Sequence, residues 1–579
     1  MSAAHPALAL LAAAFAVAGS RGIAQRVLRV AGPALALAIW WSLEPGSTTG
    51  ASVGGFEVLT VRVDALSLVF GLAMCGIALI GSVYSLHQRS AAESAAALVY
   101  AAGSLGVIFA GDWLTLFACW ELMAVSSLLV IWSGASPRAL AAGSRYLLVH
   151  AAGGATLLAG ILLHVSRGGS FRVTPLDPST ADPVAFWLIL TGVALNAAVP
   201  PLHAWLTDAY PEASVGGAVF LSAFTTKTAV YLLIRVFPGT ELLVPLGVAM
   251  ALYGVVYAVL ENDVRRLLAY HIVSQVGYMV AGVGLGSPLA LDGAAAHAYC
   301  HILYKALLFM GAGALIHATG RRKLTELGGV AGSLRWVVAL YAVGAVSISG
   351  FPLFNGFVSK SMVISAAGEA HRSWTELLLT LASVGTFLHT GLKLPYFAFF
   401  APDRGLAVRP VPANMYVAMA AAALLCFGIG VAPGLLYAQL PNGGGYAPYT
   451  AVHVATSVQL LLGTGLAFWA LRGKLGGEPT RSVDADWLYR TPGRRLGGAI
   501  VEGCAGFGRE AARGASALAA RVAVATAAPT RLFAPFLDLL RGERTPDTAG
   551  FDEDAARMPI GATVLSVVAF LCAIALLAG

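Results

Sequence analysis

The stretch FLSAFTTKTAVYLLIR, residues 220–235, is apolar enough to enter a bilayer, yet it holds Lys227 near its centre. A charge at mid-membrane is expensive, and one that is retained there points to an ion pathway or a proton relay. The chain around it has the matching composition. Of 579 residues, 58% are hydrophobic and 11% are charged. Soluble domains carry roughly 25% charged residues, so a water-facing multidomain enzyme is excluded. Disorder needs low hydrophobicity and is excluded as well. Apolar stretches of about 20 residues recur about 16 times, which predicts an all-α polytopic membrane protein. The first begins near Ala7 with no basic residue ahead of it and Arg21 behind it, as a retained span does and a signal peptide does not.

Basic residues alternate from loop to loop. Arg21, Arg89, Arg138, Arg265, Arg321 and Arg404 fall in odd-numbered loops, whereas the even-numbered loops hold few, among them Arg62, Arg167 and Arg172. The positive-inside rule then predicts a multi-pass protein of a bacterial inner membrane, with the odd loops cytoplasmic and both termini non-cytoplasmic. The formal net charge of +7 is therefore read as topology, and no nucleic-acid partner is expected. The cysteines Cys75, Cys119, Cys300, Cys426, Cys504 and Cys572 are scattered without a CxxC. Neither GxxxxGK[ST] nor GxGxxG occurs. No metal, nucleotide or other cofactor is expected on this chain.

The distribution of lysine is the most informative feature. Only Lys227, Lys305, Lys323, Lys360, Lys393 and Lys474 occur among 36 basic residues, and four of them (227, 305, 360 and 393) fall within apolar spans. Arginine stays charged in a protein, whereas a desolvated lysine can lose its proton. The chain thus places a titratable base where a permanent charge would not serve. Glu121, in LTLFACWELMAVSSLL (114–129), is the one acid deep in a span, and a buried lysine is its expected partner. His297, His301 and Lys305 recur at i, i+4 and i+8, predicting one helix face carrying three titratable groups over about 12 Å. His389 and Lys393 repeat the i, i+4 spacing. Such stripes suit a proton path.

Two spans carry proline at mid-depth: NAAVPPLHAWL (196–206) and SISGFPLFNGF (347–357). A broken helix is tolerated in a membrane where the break lines a cavity. Paired breaks in corresponding positions suggest an inverted repeat with a transport path at its interface. The polar stretch from about Gly476 to Met558 contains a region before Pro529 that predicts an amphipathic helix of roughly 50 Å lying along the membrane face.

The stretches PLHAWLTDAYPEAS (201–214), FTTKTAVYLLIR (224–235), DVRRLLAYHIVSQVGY (263–278), HAYCHILYKALLF (297–309) and SGFPLFNGFVSK (349–360) resemble the proton-conducting antiporter-like family. Its members are the D and A subunits of Mrp-type Na+/H+ antiporters, the antiporter-like subunits of respiratory complex I and related hydrogenase subunits. The wording is closest to the Mrp D-subunit group. The resemblance implies about 14 core transmembrane helices holding two inverted five-helix repeats with broken helices. It also implies a lateral amphipathic helix and a C-terminal anchor, and SVDADWLYR (482–490) before that helix is a further point of likeness. Expected boundaries are 1–63 for N-terminal spans, 64–440 for the conducting core, 441–475 for an additional span, 476–558 for the lateral segment and 559–579 for the anchor. By resemblance Glu121 is the acidic partner and Lys227 the central lysine. His301 and Lys305 are then the relay, and Lys360 the terminal base. Asn196 departs from the pattern, standing where the family has a lysine five residues before PLH.

The function these features imply is proton translocation within a larger assembly of membrane subunits, with Glu121, Lys227, His297, His301, Lys305, Lys360, His389 and Lys393 as the relay. Three competing readings are the pumping arm of an NADH dehydrogenase- or hydrogenase-like complex, a quinone-binding redox enzyme, and a non-conducting scaffold. In an exchanger, Na+ would be held by Glu121 or Asp112.

Overall fold

The computed structural model describes residues 4–53, 55–443, 445–476, 484–527 and 560–578, together with Leu540 and Gly542. The chain divides into two compact units, residues 1–486 and 487–579. The first opens with α1 (Pro6–Gly19) and α2 (Gly22–Trp41), then an antiparallel hairpin, β1 (Thr48–Val53) and β2 (Phe56–Arg62). The apolar pattern gave no sign of this hairpin. Helices follow in order: α3 (Ala65–Tyr84), α4 (Ala91–Phe109), α5 (Trp113–Trp132), α6 (Pro137–Ser166), α7 (Pro183–Asn196), α8 (Ala204–Ala209), α9 (Val215–Ala223) and α10 (Thr225–Val236). The remainder are α11 (Leu243–Leu260), α12 (Val264–Leu285), α13 (Pro288–Thr319), α14 (Arg335–Ser349), α15 (Asn355–Glu369), α16 (Ser373–Thr386), α17 (Ala413–Val431), α18 (Gly434–Tyr437) and α19 (Ala451–Leu471).

Among the described residues, 12 helices are long and apolar enough to cross a membrane. This is a multi-pass membrane protein. Two of the shorter apolar helices, Pro183–Asn196 and Arg335–Ser349, are the first halves of the two proline-marked elements. The first break runs from Asn196 to α8 and the second from Ser349 to α15. Gly350 (φ 77°) and Leu353 (φ 75°) take left-handed conformations in the second, a turn that ends α14 before the chain re-enters as α15.

Helix starts follow local chemistry. Asp64, Ser90, Asp112, Ser136, Asp182, Ser214, Asp263 and Ser287 each accept a bond from a backbone N–H of the turn they cap. Proline occupies the first turn after Ser136, Asp182 and Ser287, where its missing N–H costs nothing. The tightest helix pair is α11 with α12. A Cβ on Gly247 would stand 2.3 Å from Ala281 N, and one on Gly277 would stand 2.5 Å from Gly247 O. Small residues at such a seam let the backbones approach, which substitutes for the hydrophobic drive a bilayer does not supply.

In the second unit Arg494–Ala527 forms a 34-residue helix, roughly 50 Å long at 1.5 Å per residue. A further helix covers Ile560–Ala578. Both elements stand where the sequence predicts helices, while residues 477–483, 528–539, 541 and 543–558 of the expected lateral segment lie outside the described residues.

One sequence expectation changes here. Asp112, a candidate Na+ ligand, is fully buried and accepts from Thr115 N at 2.8 Å, Thr115 Oγ1 at 2.7 Å and Leu59 N at 2.8 Å. Its carboxylate caps α5 and ties the hairpin to it, so it is not available to a cation. Replacing it with alanine removes the cap and the acceptor of Leu59 N, which should destabilise the protein by about 2 kcal/mol. A lower thermal midpoint for Asp112→Ala in detergent, measured against wild type, checks this.

Candidate functional site

Lys227 sits in α10 just after the helix is interrupted at Phe224. It is fully buried, and its Nζ donates to Ser222 O at 2.6 Å and Thr226 Oγ1 at 3.0 Å. An ammonium removed from water needs acceptors, and the interruption lets the side chain fold back onto the preceding turn. Lys360 repeats this construction at the second break. Its Nζ donates to Ile348 O at 2.8 Å, one residue before α14 ends, and to Ser383 Oγ at 3.2 Å. The ring of Tyr278 lies 5.4 Å from the same ammonium.

Between them runs α13, with His297, His301 and Lys305 on one face as the spacing predicts, all fully buried. His297 Nδ1 lies 3.1 Å from Ser359 Oγ, beside Lys360, and its Nε2 lies 3.4 Å from Tyr304 OH. Both nitrogens of His301 and Nζ of Lys305 have no hydrogen-bond partner among the described residues.

His389 and Lys393 are also buried. They lie in Phe387–Lys393, a π-helix with wider i→i+5 turns. His389 meets His271 of α12, ring centroids 4.8 Å apart, while Lys393 reaches the end of α11 and donates to Glu261 O at 3.0 Å and to Val259 O. Lys227, His301, Lys305, Lys360, His271, His389 and Lys393 are all buried among these helices.

Glu121 stands apart. None of the ion pairs among the described residues involves it, and its Oε1 has no hydrogen-bond partner. It packs against Gly154, where an added Cβ would stand 2.2 Å from Oε1. The expected pairing with a buried lysine is absent because Lys227 is turned onto its own helix. Asn196, at the end of α7, is buried with Nδ2 unpartnered. On α6, one turn before Gly154, His150 stacks on Tyr146 at 3.8 Å and meets Trp205 edge-on at 4.5 Å.

His150, His271, Gln275 and Tyr304 are further buried polar residues of these helices that the sequence reading did not single out. Gln275 Nε2 donates to Thr386 Oγ1 at 3.4 Å, and Tyr304 OH donates to Gln275 Oε1 at 3.5 Å, bridging α12, α13 and α16. The available signal was a polar residue in mid-span, the same one that marked Lys227. The motif residues Asp208 and Glu212 serve the fold: Arg145 grips Asp208 at 2.6 and 2.9 Å, and Arg322 joins Glu212 at 2.9 Å and also Asp263.

A family model described as NADH:quinone oxidoreductase/Mrp antiporter, TM, matches residues 110–388. An uncharacterized protein of Mycobacterium tuberculosis is 31% identical over 458 residues, covering 72% of this chain and 70% of that one. The D subunit of the Na(+)/H(+) antiporter of Alkalihalophilus pseudofirmus is 32% identical over 322 residues, covering 52% of this chain and 64% of its own length. A chain of the Mrp complex from Dietzia superposes with a TM-score of 0.66 at 23% identity, covering 78% of this chain and 95% of its own. The chain spans about two thirds of the length of the curated relatives it matches. It belongs to the family of antiporter-like membrane subunits shared by NADH:quinone oxidoreductases and Mrp antiporters.

The unpartnered Lys305 makes a prediction about stability. Methionine of similar length removes a buried charge that has no acceptor, so Lys305→Met should raise stability, by about 1–4 kcal/mol. A higher thermal midpoint than wild type, with unchanged expression, is the expected result.

Proposed function

We propose that this chain is a proton-translocating member of a multisubunit membrane assembly, similar in kind to the D subunit of Mrp antiporters. The observation that carries the reading is the burial of Lys227, Lys305, Lys360 and Lys393 together with His271, His297, His301 and His389. Each lysine can release its proton where an arginine could not. The unpaired nitrogens of His301, His271 and Lys305 support it further, because buried polar groups without partners are unusual and mark positions where water completes a chain.

In this reading a proton enters near Lys227, moves through His301 and Lys305 with His297 alongside, and leaves by Lys360 or by the His389 and Lys393 branch. Transfer of charge to one site lowers the proton affinity of the next through Coulomb repulsion in a medium of low dielectric. Glu121 would compensate positive charge when the helices that carry it move towards Lys227. The arginine-rich loops would face the cytoplasm of a bacterial cell, with both termini opposite. The helix Arg494–Ala527 would lie along the membrane face and Ile560–Ala578 would anchor it. The partners would be other membrane subunits, and Na+ is the candidate counter-ion. The pumping arm of a redox complex is the second reading, favoured by the family description, which joins oxidoreductase and antiporter subunits.

Proton and sodium flux in everted vesicles carrying the native operon tests both. Lys227→Met should abolish flux while the assembly remains intact, and Glu121→Gln should reduce it. Preserved flux in Lys227→Met would overturn the assignment. Sodium-dependent collapse of a pH gradient would mark an antiporter, and flux that needs an electron donor but not sodium would mark a pumping arm.

A further inference from the structure

The SVDADWLYR motif places a carboxylate inside the bundle, far from it in sequence. Asp484 is fully buried and holds four side chains from three elements. Its Oδ1 lies 3.2 Å from His203 Nε2 and accepts from Tyr253 OH. Its Oδ2 accepts from Tyr270 OH at 2.6 Å and from Thr207 Oγ1 at 3.5 Å. His203 is the residue before α8, at the end of the first break, and Tyr253 and Tyr270 come from the glycine-seamed pair α11 and α12. Burial by itself would raise the Asp484 carboxyl. The hydrogen bonds from His203, Tyr253 and Tyr270 outweigh it and hold the group well below the usual carboxylate range.

An ionised carboxylate can only accept hydrogen bonds, so the Nε2 of His203 facing it carries a proton. His203 Nδ1 is buried and has no partner among the described residues. The carboxylate thus fixes the ring in one tautomer and leaves the other nitrogen free to take a proton, as a carboxylate does for a histidine that acts as a base. A polar route leads away from this point, from Tyr270 OH to Arg266 at 3.3 Å and on to Glu261 at 3.2 Å, the residue whose carbonyl holds Lys393.

We infer that Asp484 is a positioning residue for proton uptake, orienting His203 so that its free Nδ1 receives protons at the first helix break. This rests on the proposed proton-translocating function. It also gives the motif a role within the conducting core rather than in the helix that follows it.

The test uses the intact assembly in everted vesicles, with Asp484→Asn, Asp484→Glu, His203→Gln, the Asp484→Asn/His203→Gln double variant and Lys227→Met. Asp484→Asn keeps the size and the hydrogen-bonding capacity but removes the charge that selects the tautomer. It should lower flux by at least about tenfold at normal assembly. Asp484→Glu should recover a large part of the flux. The double variant should be no slower than His203→Gln alone, because both changes act through one ring. Wild-type flux in Asp484→Asn, with Lys227→Met inactive, overturns the inference and leaves the functional reading standing. Additive losses in the double variant overturn it as well. Should Asp484→Asn fail to assemble, His203→Gln decides, since wild-type flux there is incompatible with uptake at Nδ1. Flux in Lys227→Met removes the functional reading and this inference with it.

Discussion

The bundle is organised around the need of a buried ammonium for acceptors in a place with no water to supply them. An uninterrupted α-helix keeps its carbonyls for its own N–H groups, so it has little to offer a lysine. Each of the anchored lysines lies at a place where that regularity fails. Lys227 folds onto Ser222 beside the interruption at Phe224, Lys360 holds Ile348 where α14 ends, and Lys393 holds the carbonyls that close α11. Helix breaks and titratable bases are therefore two parts of one solution. The proline-marked segments supply the second of these sites directly.

The same constraint separates the work of lysine from that of arginine. Arginine keeps its charge and forms forked ion pairs wherever the carboxylate is ionised, and here those pairs join helix ends: Arg235 with Asp64 at 2.7 Å, Arg145 with Asp208, and Arg322 with Glu212. They fix the helix ends while leaving the interior to groups that can change charge. Lys305 shows the extreme, with no acceptor among the described residues and only the ring of Phe309 5.8 Å away. A residue kept in that state opposes stability, which is the pattern expected where function sets the choice.

Much of this was legible in the sequence. The apolar recurrences gave the polytopic class, the mid-span lysines gave the interior bases, and the i, i+4, i+8 spacing placed His297, His301 and Lys305 on one face. Other features were hidden for physical reasons. The π-helix at Phe387–Lys393 leaves no mark in an apolar pattern, so the His389 and Lys393 spacing read as α-helical. The hairpin Thr48–Arg62 is set by backbone pairing and by Asp112, not by a strong alternation. Asp484 binds residues more than 200 positions away, a tertiary contact that no local pattern encodes.

The isolation of Glu121 bears on how such a relay could be driven. The first half of the bundle holds an acid with no base against it, and Asn196 supplies no charge at the place where the family has a lysine. The second half holds a series of buried bases, with Glu261 beside Lys393 at one end. A fixed arrangement of this kind resists loading, since each added proton repels the next. Loading and release then require the acid and the bases to approach and part, which the helix breaks on either side of Lys227 make mechanically accessible. The charge separation is thus a reason to place the moving element in the first half, at the break between α7 and α8, and to regard the second half as the conducting wire.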